Sequence, residues 1–550
     1  MGTHRSIRRS LGAAAIAVGT IGLTAGAAGA IAPGTGPSSS QTPYLVPVAS
    51  GVAFQSILTT HDTVPLATGA PGTGPSFKFA GIADGMGAFD NGDGTYTLLV
   101  NHEIPAGLGV DRPGDAGIGA FVDRLVIDKS SNAVVSGRDL ISRVFLYNPV
   151  SGTYAESAAV NFNRFCSADL PAVSAFYNQG TGLGTQARIY MNGEEGGTDR
   201  SFAHIVTGGA AGDTYELPRF GKQAWENALA NPATGDKTVV MLNDDTTPSP
   251  TAAGNVFLYL GTKGTTGTDV DKAGLTNGNL FVVKVDGVTA EDRTHGLSTA
   301  TDTFAGTVSF AGLGDVSSLT SAQLETQAIA GGTSFLRPED GVWDPQNPNV
   351  YYFQTTDRLD TIKDGIGTQA ARSRLWKLSL NDRLNPGAGG TIEALLDGTE
   401  AINMLDNLTA DGAGHLILLE DVGGADHNGK VWRYDLATDS LTLVAKHDPA
   451  RFGDIGVTPT APYNNDEETS GVIPAFDILG PDWYLIVDQA HNTTGPRVDT
   501  ETVEDGQLLA MYIPPGLPAN VPEAPYAVLL PLGALCLIGG CVLVLRRQPA

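Results

Sequence analysis

From about Val52 to Ile513 the chain keeps a single texture: short β-rich runs, each closed by a Gly, Asp or Asn turn, with little helical periodicity. Tyr96–Val100 follows the turn Asn91-Gly92-Asp93-Gly94, and Leu280–Val285 precedes Asp286-Gly287. Val431–Tyr434, Leu441–Val444 and Trp483–Val487 repeat the pattern. Short strands separated by regular turn signals predict an all-β fold. The span is far longer than the ~250 residues of a large single β domain. Radial repetition of small sheets extends such a chain without exposing long edges, so the expected architecture is a single β-propeller over 52–513. Two packed β-sandwiches are the structural alternative, but no interior linker divides the span. No internal repeat is sharp enough to give a blade count.

The ends read differently. Arg5, Arg8 and Arg9 precede a small-residue apolar run from Leu11 that closes on Ala28-Gly29-Ala30. This predicts a cleaved secretory signal over 1–30, with an uncleaved anchor as the alternative. Ile31–Gln41 is rich in Pro, Gly and Ser, and residues 31–51 are expected to be a linker. A second linker is expected over 514–525, opening with Pro514-Pro515-Gly516-Leu517-Pro518. Tyr526–Leu545 carries no charge and ends at Arg546-Arg547. About 20 apolar residues suffice to cross a bilayer, and the arginines belong on the cytoplasmic side. The expected protein is therefore exported and held at the cell membrane by a transmembrane helix or a processed sorting tail.

Composition narrows the chemistry. Setting aside the five arginines of the two ends, 28 of the 33 Lys+Arg face 59 Asp+Glu, a formal charge of −31. No clustered basic charge is present to contact phosphates, so nucleic acid is excluded as a partner. Of three cysteines, Cys536 and Cys541 lie in the apolar tail, leaving Cys166 alone in the ectodomain. No intrachain disulfide can hold that domain, which must rest on a large core or on bound metals. On residue type alone Cys166 reads as a buried apolar residue.

Several familiar motifs are missing: there is no G-x-x-x-x-G-K-[ST], and His102-Glu103 lacks the second histidine of H-E-x-x-H. What recurs instead is acidic residues at strand ends: Glu194-Glu195, Glu226, Asp244-Asp245, Glu339-Asp340, Glu420-Asp421 and Glu467-Glu468. Adjacent carboxylates repel and are costly to bury unless a cation offsets them. Calcium gathers six to eight oxygens of this kind. Any single doublet can equally be a solvated turn.

The order of these elements resembles the PhoX-type alkaline phosphatases. Asn101-His102-Glu103 is similar to that family's N-H-E element, and Arg337-Pro338-Glu339-Asp340-Gly341 to its R-P-E-D-G segment. Trp225-Glu226-Asn227 stands where the family has H-E-[NA], and Asp244-Asp245 matches its acidic doublet. Asp406-Asn407-Leu408 with Gly414–Asp421 resembles D-N-L…G-x-L-x-x-x-E-D. Glu468-Thr469-Ser470-Gly471, with Val487-Asp488-Gln489-Ala490-His491, completes the series. Three departures stand out: Ser167-Ala168-Asp169 follows the cysteine in place of a Gly-rich run, Trp225 replaces histidine, and Asp488–His491 is one residue longer.

The resemblance implies a six-bladed propeller, monomeric, that hydrolyses small phosphate monoesters with a metal-activated hydroxide at an iron–calcium cluster. It makes Arg337 the phosphate-binding and catalytic guanidinium, with Glu339 beside it, and Cys166 an iron ligand. It implies metal ligation by Glu194, Glu195, Glu226, Asp244, Asp245, Glu339, Asp340, Glu420, Asp421 and Glu468. The alternatives are a non-catalytic, calcium-stabilised surface propeller that binds glycans or proteins, and a calcium-only phosphodiesterase or phytase-like hydrolase.

Overall fold

The computed structural model describes residues 31–517, except 71–73, 113, 115–116, 159, 248, 250–251 and 358–372. The expected signal segment (1–30) and apolar tail (526–545) lie outside the described residues. Among those described, no helix is long and apolar enough to cross a membrane.

The fold is all-β and propeller-like. Its mainly antiparallel sheets resolve into six units around a channel, with inner strands Ala83–Asp90, Ile189–Gly193, Trp225–Ala230, Pro338–Trp343, Leu405–Ala410 and Glu467–Pro474. Successive inner strands pack on one another from the second unit to the sixth, and the sixth packs on the first. Between the first two units the segment Phe165–Asp169 fills the gap: Gly85 N–H donates to Cys166 O at 3.1 Å, and Asn101 Nδ2 to the same oxygen at 2.7 Å. The third and fourth units are fused through Ala305–Gly314 into one nine-stranded sheet. Its terminal strands, Trp225–Ala230 and Pro338–Trp343, pack together, so this sheet nearly closes on itself.

The core is divided as the ring requires. Six large apolar clusters each lie between two neighbouring units, for example Met241, Leu258, Trp343 and Phe353 between the third and fourth. Side chains alternate along a strand, so Val239 and Met241 feed one cluster while Val240 and Leu242 feed the next. Strands buried on both faces read as continuous apolar runs, which is why Thr238–Leu242 shows no polar alternation.

The segment expected to be a linker at 31–51 is structured, which corrects that reading. Gly34–Thr35 pairs in parallel with Ala53–Thr59, and Leu45–Pro47 adds an edge strand to the fifth unit. Ala53–Thr59 completes the sixth unit by pairing with Asp505–Tyr512, so the two ends of the domain share one sheet. The start of the second expected linker is also docked: Leu517 is buried, and its carbonyl accepts from Arg433 Nη2 at 2.9 Å. The predicted turn at Asn91–Gly94 is present, joining Ala83–Asp90 to Thr95–His102.

Gly85 permits the close approach of the inserted segment, since a Cβ there would lie 2.4 Å from Ala168 N and 2.5 Å from Ser167 C. Both neighbours are backbone, which cannot rotate away. Gly85→Ala is expected to cost about 1–3 kcal/mol, the range for overpacking. A denaturation midpoint that does not move would show that the segment yields without strain.

Candidate metal centre

Five of the six inner strands begin the same way: one apolar or paired residue, then a carboxylate. Asp84, Glu226, Glu339, Asp406 and Glu468 each stand second in their strand. In every case the pairing with the next strand slips nearby, between Ala83 and Met86, Trp225 and Asn227, Pro338 and Gly341, Leu405 and Leu408, and Thr469 and Val472. A bulge bends a strand and re-aims side chains, here where the strand enters the channel. In the second unit the irregular segment Phe165–Asp169 is innermost, bridging to Glu194 and Met191, and Cys166 takes the place of the carboxylate.

The neighbouring strands obey the same register. Ala83 pairs with His102, Phe165 with Glu194, Trp225 with Asp244, Pro338 with Thr355, Leu405 with Glu420 and Glu467 with Ala490. The next residue in each case is Glu103, Glu195, Asp245, Thr356, Asp421 and His491. Two sets of six positions therefore face the channel mouth, and all but Cys166, Thr356 and His491 are carboxylates.

Side-chain geometry brings them together. Ligand atoms of Asp84, Glu103 and Cys166 lie within 4.8 Å of one another, as do those of Glu226, Glu339 and Asp406, and those of Asp406, Asp421 and Glu468. Cys166 Sγ is 3.1 Å from Glu195 Oε2. Arg164 Nη2 bridges Glu103 Oε1 at 2.6 Å and Glu195 Oε2 at 2.7 Å. Arg337 Nη2 bridges Asp245 Oδ2 at 2.6 Å and Glu339 Oε1 at 3.0 Å. His491 joins Glu468 to Glu504, at 3.4 and 2.7 Å.

Each acidic doublet is divided by this register. Glu195, Asp245 and Asp421 turn to the mouth, whereas their predecessors do not. Glu194 is held bidentately by Arg200, with both contacts at 2.9 Å. Asp244 accepts from Thr246 at 2.7 Å, and Glu420 from Trp432 Nε1 at 2.8 Å and Asn403 N at 2.9 Å. Asp340 sits one layer down, accepting from Asn227 Nδ2 at 2.6 Å and Gly341 N at 2.7 Å beside a cavity of about 240 Å³. Register thus sets Glu194, Asp244 and Glu420 apart from the mouth: Arg200 takes up both oxygens of Glu194, while Asp244 Oδ2 and Glu420 Oε2 are buried without a hydrogen-bond partner. Asp84, Glu103, Arg164, Asp406 and His491 belong to the mouth and were not singled out as site residues. Asp84 is a lone acid in Ala83-Asp84-Gly85, and only its strand position marks it.

The electrostatics ask for cations. Burial, then Glu468 and Glu103, push the Asp84 carboxyl well above its ordinary range. Burial with Glu339 and Asp84 does the same at Glu226, and burial with Glu339 and Glu468 at Asp406. Burial raises Asp421 and Glu195 to about 7, and burial with Glu103 and Glu195 drives the Cys166 thiol up. At Glu103 burial is outweighed by Arg164, and the carboxyl falls below its usual value. Glu226 Oε1 and Asp245 Oδ1 are buried without a hydrogen-bond partner. Divalent cations would satisfy such oxygens, and a thiolate among them adds one soft donor. The residues fit a multinuclear metal centre.

No family model matches this chain, and no curated protein matches it. Among solved structures, Pseudomonas fluorescens PhoX in complex with vanadate, a transition state analogue, superposes with a TM-score of 0.58 at 13% identity, covering 87% of this chain and 98% of that one. The similarity is one of fold. A Fusarium graminearum GH93 α-L-arabinofuranosidase with arabinobiose follows at 8% identity and TM-score 0.36, covering 82% and 97%. A Xanthomonas campestris gluconolactonase follows at 10% and 0.30, covering 83% and 98%.

The split doublets are testable. Glu194→Gln breaks a buried pair and is expected to cost about 3–5 kcal/mol while leaving metal content unchanged. Glu195→Gln is expected to lower bound metal with a smaller loss of stability. Elemental analysis beside denaturant titration checks both, and equal metal loss in the two variants would contradict the division. A second expectation concerns pH. In the metal-free chain the raised carboxyls keep protons that the unfolded chain releases near pH 4. The native state therefore binds more protons than the unfolded one, and stability falls as pH rises from about 4 towards 8. The melting temperature of chelated protein should drop across that window, and calcium should flatten the slope.

Proposed function

We propose that this chain is a metal-dependent phosphatase that hydrolyses small phosphate monoesters outside the cytoplasm, acting as a monomer. The observation that carries the reading is Arg337: a half-buried guanidinium whose Nη2 is fixed by Asp245 and Glu339 while its buried Nη1 has no hydrogen-bond partner. It is held directly beside the carboxylate rings, at a backbone φ of 58°. A planar fork with an uncommitted donor suits a phosphoryl oxygen, which lysine would meet only as a point charge.

Asp84, Glu103, Cys166, Glu195, Glu226, Asp245, Glu339, Asp406, Asp421 and Glu468 would hold the metals. The oxygens suit calcium, and the Cys166 thiolate suits a transition metal such as iron. Bound metal ions would supply Lewis acidity towards phosphoryl oxygens and would activate water. The protein's own part is orientation. Arg337 grips the phosphoryl group and meets the negative charge that grows on its oxygens, in a site shielded from bulk water. Asp245 fixes the guanidinium plane, and the chain's net acidity makes that local positive charge indispensable for an anionic substrate. Vanadate, present in the superposed PhoX structure, is an oxyanion of the kind such a fork would bind.

Arg337→Ala is expected to lower turnover of a chromogenic phosphate ester by about 10²–10³ while metal stays bound. Glu339→Ala is expected to abolish turnover by releasing metal. If both variants keep wild-type turnover, the phosphatase reading fails and a non-catalytic, calcium-stabilised binding propeller takes its place.

A further inference from the structure

We propose that Arg164 is a second substrate-binding guanidinium, the pseudo-symmetric counterpart of Arg337, and that the two together select a dianionic phosphoryl group. The inference rests on the phosphatase reading and deepens it. Arg164 stands two residues before Cys166, just as Arg337 stands two residues before Glu339. Both adopt a left-handed backbone, with φ of 39° and 58°. Ile82 and Met404 make the same reversal two residues before Asp84 and Asp406, at 52° and 46°. The reversal is thus a recurring feature of how strands enter the mouth, and glycine would adopt it without steric cost. In the first and fifth units the position is filled by buried apolar residues; in the second and fourth it carries a guanidinium.

The contacts of the two arginines match. Arg164 spans the seam between the first and second units, from Glu103 to Glu195. Arg337 spans the seam between the third and fourth, from Asp245 to Glu339. Among the described ion pairs these are the two guanidiniums that bridge carboxylates of the mouth. Arg164 is also the more open of them, its side chain 45% exposed against 14% for Arg337. Its exposed face leaves the guanidinium within reach of an incoming anion while Glu103 and Glu195 hold it in place. Two forks at the mouth match a phosphate monoester dianion, whose terminal oxygens share two charges. A diester monoanion offers one charge and needs only one fork.

The test uses the full chain loaded with metal. Steady-state kinetics on a chromogenic monoester and a chromogenic diester are compared for wild type, Arg164→Gln and Arg164→Lys, with calorimetric titration by inorganic phosphate and elemental analysis. Arg164→Gln is expected to weaken phosphate binding at least tenfold at unchanged metal content. It is also expected to lower kcat/KM at least tenfold more for the monoester than for the diester. Arg164→Lys should recover part of the phosphate affinity and little of the monoester preference. If monoester and diester fall together, if phosphate affinity is unchanged, or if metal loss accompanies the defect, the proposal is overturned and Arg164 merely positions Glu103 and Glu195. If the wild type hydrolyses neither ester, the phosphatase reading falls, while the phosphate titration still decides for or against Arg164. A wild type that binds no phosphate overturns both.

Discussion

Repulsion among buried carboxylates is the constraint on which the rest of this structure depends. Nine of the twelve positions at the channel mouth carry a carboxylate, and several of those groups lie within 4.8 Å of one another. In a low-dielectric site such groups cannot all ionise unaided. The chain itself supplies Arg164, Arg337 and His491 to that region, and each already bridges two acids. What remains is an excess of oxygen ligands that cations would neutralise. A scaffold that holds these groups together against their mutual repulsion has to be stiff. The six interdigitated clusters between sheets provide that stiffness, because each joins two neighbouring units.

Much of this was legible in the sequence, and the part that was not has a definite cause. Turn-bounded apolar runs announced the strands, and Thr95–His102, Asn279–Val285, Lys430–Asp435, Ser440–His447 and Trp483–Ala490 lie where those runs fall. Acidic doublets at strand ends pointed to the mouth. Which member of a doublet faces inward is a matter of a single residue of register, since successive side chains point to opposite sides. Glu194 and Glu195 are indistinguishable until the bridge between Phe165 and Glu194 assigns the first to the sheet and leaves the second for Cys166. Asp84 and Asp406 are lone acids whose role depends on standing second in a bulged strand, and no local composition marks a bulge.

Misreadings at the N-terminal edge have another origin. Ile31–Gln41 has the composition of a linker, yet Gly36 N–H donates to Ser56 O at 2.9 Å, and Ser38 Oγ accepts from Val134 N at 3.0 Å. Small polar residues suit a chain lying flat along an outer strand, where bulky side chains would be lifted away. Gly36 has no room for more, with Ser56 O only 2.3 Å from where a Cβ would be. Composition reports how much a segment can bury, but not whether a waiting edge will accept it.

The sharing of one sheet by Ala53–Thr59 and Asp505–Tyr512 sets an order of events in the life of the chain. A ribosome releases the first of these strands long before the last exists, so the early strand must wait with its ladder unpaired. Asp84 and Glu468 belong to units that meet only across that final join, where Gly471 N–H donates to Asp84 Oδ1 at 3.2 Å. A nascent or truncated chain therefore carries the acids of the mouth without their enclosure. The acids at that join wait for the last strands, whereas Glu226, Glu339 and Asp406 come from the third to fifth units and gather without them.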